Sequence, residues 1–495
     1  MARGELIVAV DQGTSSTKAL LVDRHGRVLS RASEPVGQSH PRPGWVEQSP
    51  AAIWDSVTAA IRDCLDGHDP ARVAAAGISN QRESMLLWER STGEPVSPVV
   101  TWQDRRTADR CASLVAGGWA DTVREVTGLP LDPMFSATKA GWLLDHADPD
   151  RRRSRDGALC LGTVDSWLLS RFGGEHVIEI GNAARTQLLD VRTGRWDPGL
   201  LDLFGVPAAV LPRVVASTGP FPAVRGVPPL PDGLPVAAVL GDSHAALFAH
   251  AGWRPGRVKA TYGTGSSVMA LRHDDAPPHP GLCRTIAWDA GDGVAHAVEG
   301  NILSTGATLR WLADALGRTS AELARLADGA SSDGVHLVPA FGGLAAPWWD
   351  GDAQATLAGM TLATGLPQLA RAALESIAFQ VEDVVAAAGA HEILLADGGA
   401  ADNPTLMQIQ SDISGRHVHR SRISDLSAAG AAHLAGLAGG LWSRRELAAF
   451  DRPARVFSPR IGSAERRSMR SAWHLAVARA RTTEPHPQEA RHDRS

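Results

Sequence analysis

The chain has 495 residues, 44% of them hydrophobic and 21% charged, with a formal net charge of -5. At roughly 100–200 residues per domain, that length allows two or three globular domains. The composition excludes a disordered or fibrous chain, and the acidic balance argues against a nucleic-acid or polybasic membrane partner. The four cysteines, Cys64, Cys111, Cys160 and Cys283, form no CxxC pair. They are expected as reduced, buried thiols of a cytosolic protein, not as a zinc site or a disulfide frame. The apolar run before Asp11 is short for a signal peptide, and no apolar stretch reaches the ~18 residues of a membrane span.

The first predicted elements are three strands over residues 5–33, "LIVAVD", "KALLVD" and "RVLSRAS", with "HGR" as the second turn. A helix follows over "SPAAIWDSVTAAIRDCL". Ser49 is its N-cap and Pro50 its first residue, and Ile53, Val57, Ala60, Ile61 and Leu65 share one face. Further strands are expected at "VAAAGIS" (73–79), "MLLWER" (85–90) and "PVVTWQ" (98–103). Helices are expected over "RRTADRCASLVAG" and over "SATKAGWLLDHAD", the latter capped by Ser136. Strands and helices alternating in this way describe an α/β chain with a mixed sheet.

The Pro-rich stretch "GPFPAVRGVPPLPDGLP" (219–235) is expected as a loop, and a second α/β run follows it. That run partly replays the first. Shifted by 250, Val8, Gly13, Thr14, Ser16 and Leu21 fall on Val258, Gly263, Thr264, Ser266 and Leu271. Two domains built on one plan, facing each other across a cleft, would produce this echo, and so would chance over one segment. The last residues, 481–495, are polar and are expected as a flexible tail.

Between the first two strands stands "DQGTSSTK". Gly13 lets the backbone approach a bound group. The N–H groups and hydroxyls of Thr14, Ser15, Ser16 and Thr17 can cradle an anion, and Lys18 adds a point charge. Asp11, at a strand end, can hold Mg²⁺ through its waters. The plainer alternative is a polar hairpin capped by Asp11. Lysine is scarce in this chain, only Lys18, Lys139 and Lys259 among 49 Lys plus Arg, so each retained lysine either needs a compact ammonium or has survived by chance.

Other stretches carry two interpretations each. "SNQRES" sets Arg82 beside Glu83, either a surface ion pair or, with Trp102 of "TWQDRR", a grip for a polyol. Asp242 in "GDSHAALF" ends a strand and starts a helix, as a cap, a general base, or both. Gly398 and Gly399 in "DGGAADNP" form a plain strand-to-helix turn or leave room for a nucleotide. "PAFGGLAAPWWD" is a closing loop or a packed aromatic corner.

Together these stretches resemble the FGGY carbohydrate kinase family, nearest its glycerol kinases. The likeness runs through "PGWVEQSP", "TGLPLDPMFSATK", "GTVDSWLL", "NAARTQLLD", "TYGTGSSV" and "LESIAFQVEDV", from the first hairpin to "SAAGAAHLAGLA". The resemblance implies an α/β fold of two actin-like (ribonuclease H-like) ATPase domains around a hinged cleft. Residues 1–245 would hold the polyol and the phosphate hairpin, and 246–480 the nucleotide. It implies ATP and Mg²⁺, with Asp11 associated with the metal and Asp242 as the catalytic base. Thr14, Ser15, Ser16 and Lys18 would form the phosphate hairpin. Thr264, Gly306, Arg310, Gly399 and Asn403 would meet the nucleotide, and Arg82, Glu83 and Trp102 the substrate.

Three pocket positions depart from the family's glycerol-using pattern: Met134 stands for tyrosine, Ser243 for glutamine and Ser267 for phenylalanine. Arg310 replaces a usual glutamine. The basic, glycine-bearing loop that serves sugar-bisphosphate feedback in some relatives is absent before "PVAAVLGD". The expected activity is cytosolic ATP-dependent phosphorylation of a primary hydroxyl of a small polyol, glycerol to sn-glycerol 3-phosphate. A C4–C5 polyol or ketose is the alternative substrate, and a non-kinase actin-like ATPase or a sugar-responsive regulator is the alternative class. The partner expected is the polyol alone, without nucleic acid or membrane, in a homodimer or homotetramer.

Overall fold

A computed structural model of the chain describes residues 4–272, 279–389 and 391–482. The expected tail therefore lies outside the described residues from 483 onward. The chain divides into two compact units. One gathers Met1–Ala251, Cys283–Ala297 and Asp425–Asp451, and the other Gly252–Leu282, Val298–Ser424 and Arg452–Ser495.

The first unit is organised by a five-stranded sheet in the order Val236–Gly241, Val73–Asn80, Leu6–Gln12, Ser16–Asp23, Val28–Pro35. The first three run parallel and the last two turn back antiparallel. Leu6–Gln12 is an almost unbroken buried run, as a strand covered on both faces requires. Val28–Pro35, at the sheet edge, alternates half-buried and exposed residues. The helix Pro50–Leu65 packs its apolar stripe against the meander. Ser49 caps it by accepting the Ala52 N–H, and Pro50 is its first residue, as predicted. The helix Leu426–Ala438 packs against the parallel strands. A Cβ on Gly77 of Val73–Asn80 would sit 2.5 Å from the Ala431 carbonyl of that helix, so only glycine allows the approach.

Two local expectations need correction. The strand predicted over 98–103 shrinks to Val99–Val100, because the following residues turn back through Thr101 to Asp104. Ser136 does not cap its helix. The N-cap is Phe135, without a side-chain bond, and the Ser136 hydroxyl instead donates to the Glu83 carbonyl at 2.8 Å. A long-range partner outcompetes the local one. The Pro-rich stretch 219–235 is loop, as expected.

The second unit has the same plan at its centre. Arg257–Tyr262 and Ser266–Leu271 form an antiparallel hairpin, and Arg257–Tyr262 runs parallel to Ile393–Asp397. His417–Ser421 and Ala454–Phe457 extend the sheet beyond. Its core joins Val258, Val268, Leu374, Ile377 and Leu394 with Phe379, whose ring stacks on Trp473 at 5.1 Å. The echo seen in the sequence is therefore structural, but its register slips. Gln12 pairs with Thr17 across the first turn, whereas Tyr262 pairs with Ser266 across the second. The second turn is one residue tighter, so Ser266 corresponds to Thr17 and not to Ser16. "PAFGGLAAPWWD" resolves as an aromatic corner: Trp348 and Trp349 pack on the core, and the Trp349 indole donates to the Gly281 carbonyl at 2.7 Å.

Candidate active site

In the first unit the predicted polar residues converge on the ends of the parallel strands. Asp11 lies near the end of Leu6–Gln12, opposite Ser79 of the neighbouring strand, whose hydroxyl donates to its Oδ1 at 2.9 Å. Burial, and then the negative charge of Asp242, push the Asp11 carboxyl up to about 6. Asp242 is the first residue of the helix Asp242–Ala249, with Gly241 as its N-cap. It is thus one position inside the cap. Its Oδ1 accepts the Ser243 N–H at 2.6 Å and faces the Arg82 Nε at 3.3 Å.

Arg82 and Glu83 are adjacent but do not pair with each other as a surface couple. Both are buried. Arg82 turns to Asp242, and also lies 3.5 Å from the His244 Nε2. The Arg82 stem crosses Gly241, where a Cβ would meet its Cδ at 2.6 Å. Glu83 sits at φ 63°, a strained setting for a non-glycine residue, and its Oε1 accepts Arg185 Nε at 2.6 Å. Met134, half-buried, is pinned at both ends. Its N–H donates to Asp132 Oδ1 at 2.8 Å, and its carbonyl accepts Lys139 Nζ at 2.6 Å. Lys139 is fully buried, and burial pulls its ammonium down to about 8.

The first hairpin closes with Gly13 N–H on the Ser16 carbonyl at 3.0 Å, leaving Thr14 half-exposed and Ser15 exposed. Lys18 is ion-paired with Asp425 at 3.1 Å, with its side chain 38% exposed. Trp102, expected among the polyol contacts, reaches into this hairpin: its Nε1 donates to Thr14 Oγ1 at 3.0 Å.

The second unit brings together most of its own set. Thr264 lies at the tip of the second hairpin, and its carbonyl accepts the Thr305 and Ala307 N–H groups at 2.9 and 3.1 Å. Gly306 opens the helix Gly306–Ala315 and donates to the Gly263 carbonyl at 3.0 Å; a Cβ there would come within 2.7 Å of that oxygen. Arg310 reaches Thr264 Oγ1 at 3.4 Å. Gly398, at φ 90°, lies against the Tyr262 backbone, while a Cβ on Gly399 would meet open space. Asn403 is an N-cap, accepting the Thr405 N–H at 2.9 Å and the Leu406 N–H at 3.3 Å. The Ser267 hydroxyl donates to the buried Glu299 at 2.9 Å.

Several partners were not foreseen: Ser79, His244, Arg185, Asp425 and Glu299. Ser79 was within reach of sequence reasoning, because it immediately precedes the polar run "NQRES" on a buried strand. The others lie far along the chain from the groups they touch, and no local pattern marks them. Among the described residues, no group of three or more His, Cys, Asp or Glu side chains could hold a metal ion, and no helix is long and apolar enough to cross a membrane.

Comparison with known proteins places the chain in a family. The model of the N-terminal domain of the FGGY family of carbohydrate kinases matches residues 6–249, and that of the C-terminal domain matches 258–439. A glycerol kinase of Aromatoleum aromaticum is 45% identical over 491 residues, covering 96% of this chain and 98% of that one. A glycerol kinase of Symbiobacterium thermophilum is 42% identical over 496 residues, covering 96% of this chain and 98% of its own. Among solved structures, Plasmodium falciparum glycerol kinase with ADP superposes with a TM-score of 0.90 at 28% identity, covering 97% of this chain and 99% of that one. A xylulose kinase of Rhodospirillum rubrum shares the fold, with a TM-score of 0.84 at 24% identity over 96% of this chain and 98% of that one. The chain therefore belongs to the FGGY family of carbohydrate kinases. It is an ATP-dependent kinase with the family's two actin-like domains.

Proposed function

We propose that the protein transfers the γ-phosphate of ATP to a primary hydroxyl of glycerol, giving sn-glycerol 3-phosphate in the cytoplasm. One observation supports this most: Asp242, on the first turn of its helix, is held by Arg82 at 3.3 Å and stands close enough to Asp11 to raise that carboxyl. The two carboxylates then divide the work. Asp242 takes the proton from the attacking hydroxyl. Thr14, the hairpin amides and Lys18 meet phosphate charge as it develops. Arg82 and Glu83 would hold polyol hydroxyls and Trp102 the carbon face, on residues 1–245. Residues 246–480 would hold the nucleotide through Thr264, Gly306, Arg310, Gly399 and Asn403.

Mg²⁺ suits this donor set, since it keeps most of its waters and needs only one or two carboxylates besides phosphate. Burial lifts Asp11 most and the Asp242 charge adds to it, and a cation would relieve that second contribution. When bound, the ion would supply charge neutralisation at the phosphates. The assembly we propose is a homodimer or homotetramer.

A second substrate, a C4–C5 polyol or ketose, draws support from Met134, Ser243 and Ser267, where the family resemblance expects tyrosine, glutamine and phenylalanine. The Ser267 hydroxyl hydrogen is committed to Glu299, so this serine adds room more than it adds a donor. The test is ADP release by purified protein across C3–C6 polyols and ketoses. Turnover with glycerol supports the main reading, and turnover confined to longer compounds replaces it.

A further inference from the structure

Trp102 and Thr14 close a ring of hydrogen bonds that no substrate completes. The Trp102 backbone N–H donates to Ser84 Oγ at 3.0 Å, and the Ser84 hydroxyl donates to Gln81 Oε1 at 2.8 Å. Gln81 Nε2 donates to Gln48 Oε1 at 2.8 Å, and Gln48 Nε2 to the Thr14 carbonyl at 2.8 Å. The Trp102 indole then returns to Thr14 Oγ1 at 3.0 Å. Gln48, Gln81 and Ser84 are buried, so the inner bonds of this ladder cannot exchange their partners for water, while the indole–hydroxyl bond at its end joins two half-exposed residues.

The direction of the last bond matters. An indole N–H only donates, so Thr14 Oγ1 must be the acceptor. With one of its two lone pairs engaged by the indole, the threonine hydroxyl keeps its hydrogen to give. Thr14 is half-exposed at the tip of the first hairpin, where a phosphate oxygen would be the acceptor.

We propose that Trp102 is a positioning residue for phosphate. Its indole N–H turns the Thr14 hydroxyl into an oriented donor, and a polyol resting on the ring fixes that indole and so tightens the hold on ATP. The polyol part of this proposal rests on the function given above. Binding at one end of the indole is thereby felt at the other, through one rigid ring plane and without any movement of the backbone. The indole bond to Thr14 is already made without a polyol; a polyol packed on the ring would hold that half-exposed bond more firmly, which favours transfer to the polyol over transfer to water.

The test is a double-mutant cycle on binding of a non-hydrolysable ATP analogue, measured without polyol. Trp102→Phe keeps a ring and removes the donor; Thr14→Val removes the hydroxyl; Thr14→Ser restores it. Each of the first two should weaken analogue binding about three- to tenfold. The double variant should be no worse than the weaker single, and Thr14→Ser should recover most of the loss. Additive losses, or Trp102→Phe binding as wild type does, overturn the proposal. Should Trp102→Phe fail to fold, Ser84→Ala, which frees the Trp102 backbone, carries the same cycle with the same expected non-additivity. With glycerol added, wild type should bind the analogue more tightly and Trp102→Phe should lose that gain. If glycerol neither tightens binding nor supports ADP release in wild type, the glycerol reading falls, and the polyol-free cycle still decides the role of Trp102.

Discussion

The two hairpins share a strand plan and differ in what holds them. In the first, side chains clasp the turn: Gln48 on the Thr14 carbonyl, Gln12 on the Gly13 carbonyl, and Trp102 on the Thr14 hydroxyl. In the second, backbone N–H groups of Thr305, Gly306 and Ala307 do most of this work, with Arg310 on the Thr264 hydroxyl. The charge on the paired strands is exchanged as well. Asp11 stands opposite Ser79 in the first unit, and Thr261 stands opposite Asp397 in the second. Across each turn, Asp11 pairs with Lys18 where Thr261 pairs with Ser267. One duplicated frame thus carries an ionisable couple on one copy and a neutral couple on the other. A backbone clasp is indifferent to side-chain chemistry, whereas a side-chain clasp can respond to it.

The largest expected effect tests whether the first copy is the chemical one. Asp242→Asn keeps the shape and removes the base, so kcat should fall roughly 10²–10⁴-fold in a protein that melts normally. A well-folded variant with near-normal turnover would end the assignment. Next, Asp11→Asn should cost about 10²-fold in kcat, while Thr261→Val at the matching position should cost nothing measurable. The Thr261 hydroxyl has no hydrogen-bond partner in the structure, so its removal leaves no group unsatisfied. Equal losses at both positions would erase the contrast between the copies.

The lysines sharpen it further. Burial lowers Lys139 from 10.5 to about 8, so the folded chain binds fewer protons than the unfolded chain between those values. Stability should therefore rise with pH through that window, by up to about 3 kcal/mol, and Lys139→Met should flatten the rise. Denaturant melts at stepped pH, wild type against variant, measure the slope. For the departures from the glycerol-using pattern, Met134→Tyr with Ser267→Phe should move kcat/KM toward glycerol over erythritol, xylitol and ketopentoses by about tenfold. A wild type that already handles glycerol far better than every longer compound would overturn the specificity assigned to these positions. The smallest effect is expected at Lys18, which is partly solvated and shared with Asp425. Lys18→Ala should raise the KM for ATP about two- to fivefold with the polyol KM unmoved. Unchanged ATP kinetics would leave Lys18 a purely structural partner of Asp425.

These comparisons show which features were legible beforehand. The first hairpin and its echo could be read because strand, glycine and hydroxyl run follow one another locally. Ser49 and Pro50 were legible for the same reason, since a cap acts within three residues. Ser136 looked identical and was not a cap, because its hydroxyl is claimed by Glu83, 53 residues away. The slipped register was invisible: the identities at Ser16 and Ser266 align by counting, but one fewer turn residue moves every later pairing. The partnerships of Arg82 with Asp242 and Lys18 with Asp425 are products of topology. The residues were marked for function by resemblance, while their electrostatic neighbours came only with the fold.

The helix Leu426–Ala438 has a consequence for how the chain is made. Most of it is buried, rich in alanine and glycine, and it lies against strands that begin at Leu6. A Cβ on its Gly430 would overlap the Ala245 backbone, so the helix presses onto the Asp242–Ala249 helix as well. On the ribosome, everything up to Ala251 emerges long before this helix does. At roughly 5–20 residues per second, the apolar floor of the first sheet stays open for tens of seconds. During biosynthesis the first half is thus an unfinished object, vulnerable to premature association. Asp242, the proposed base, gains its contact with Ser427 only after that helix has been made.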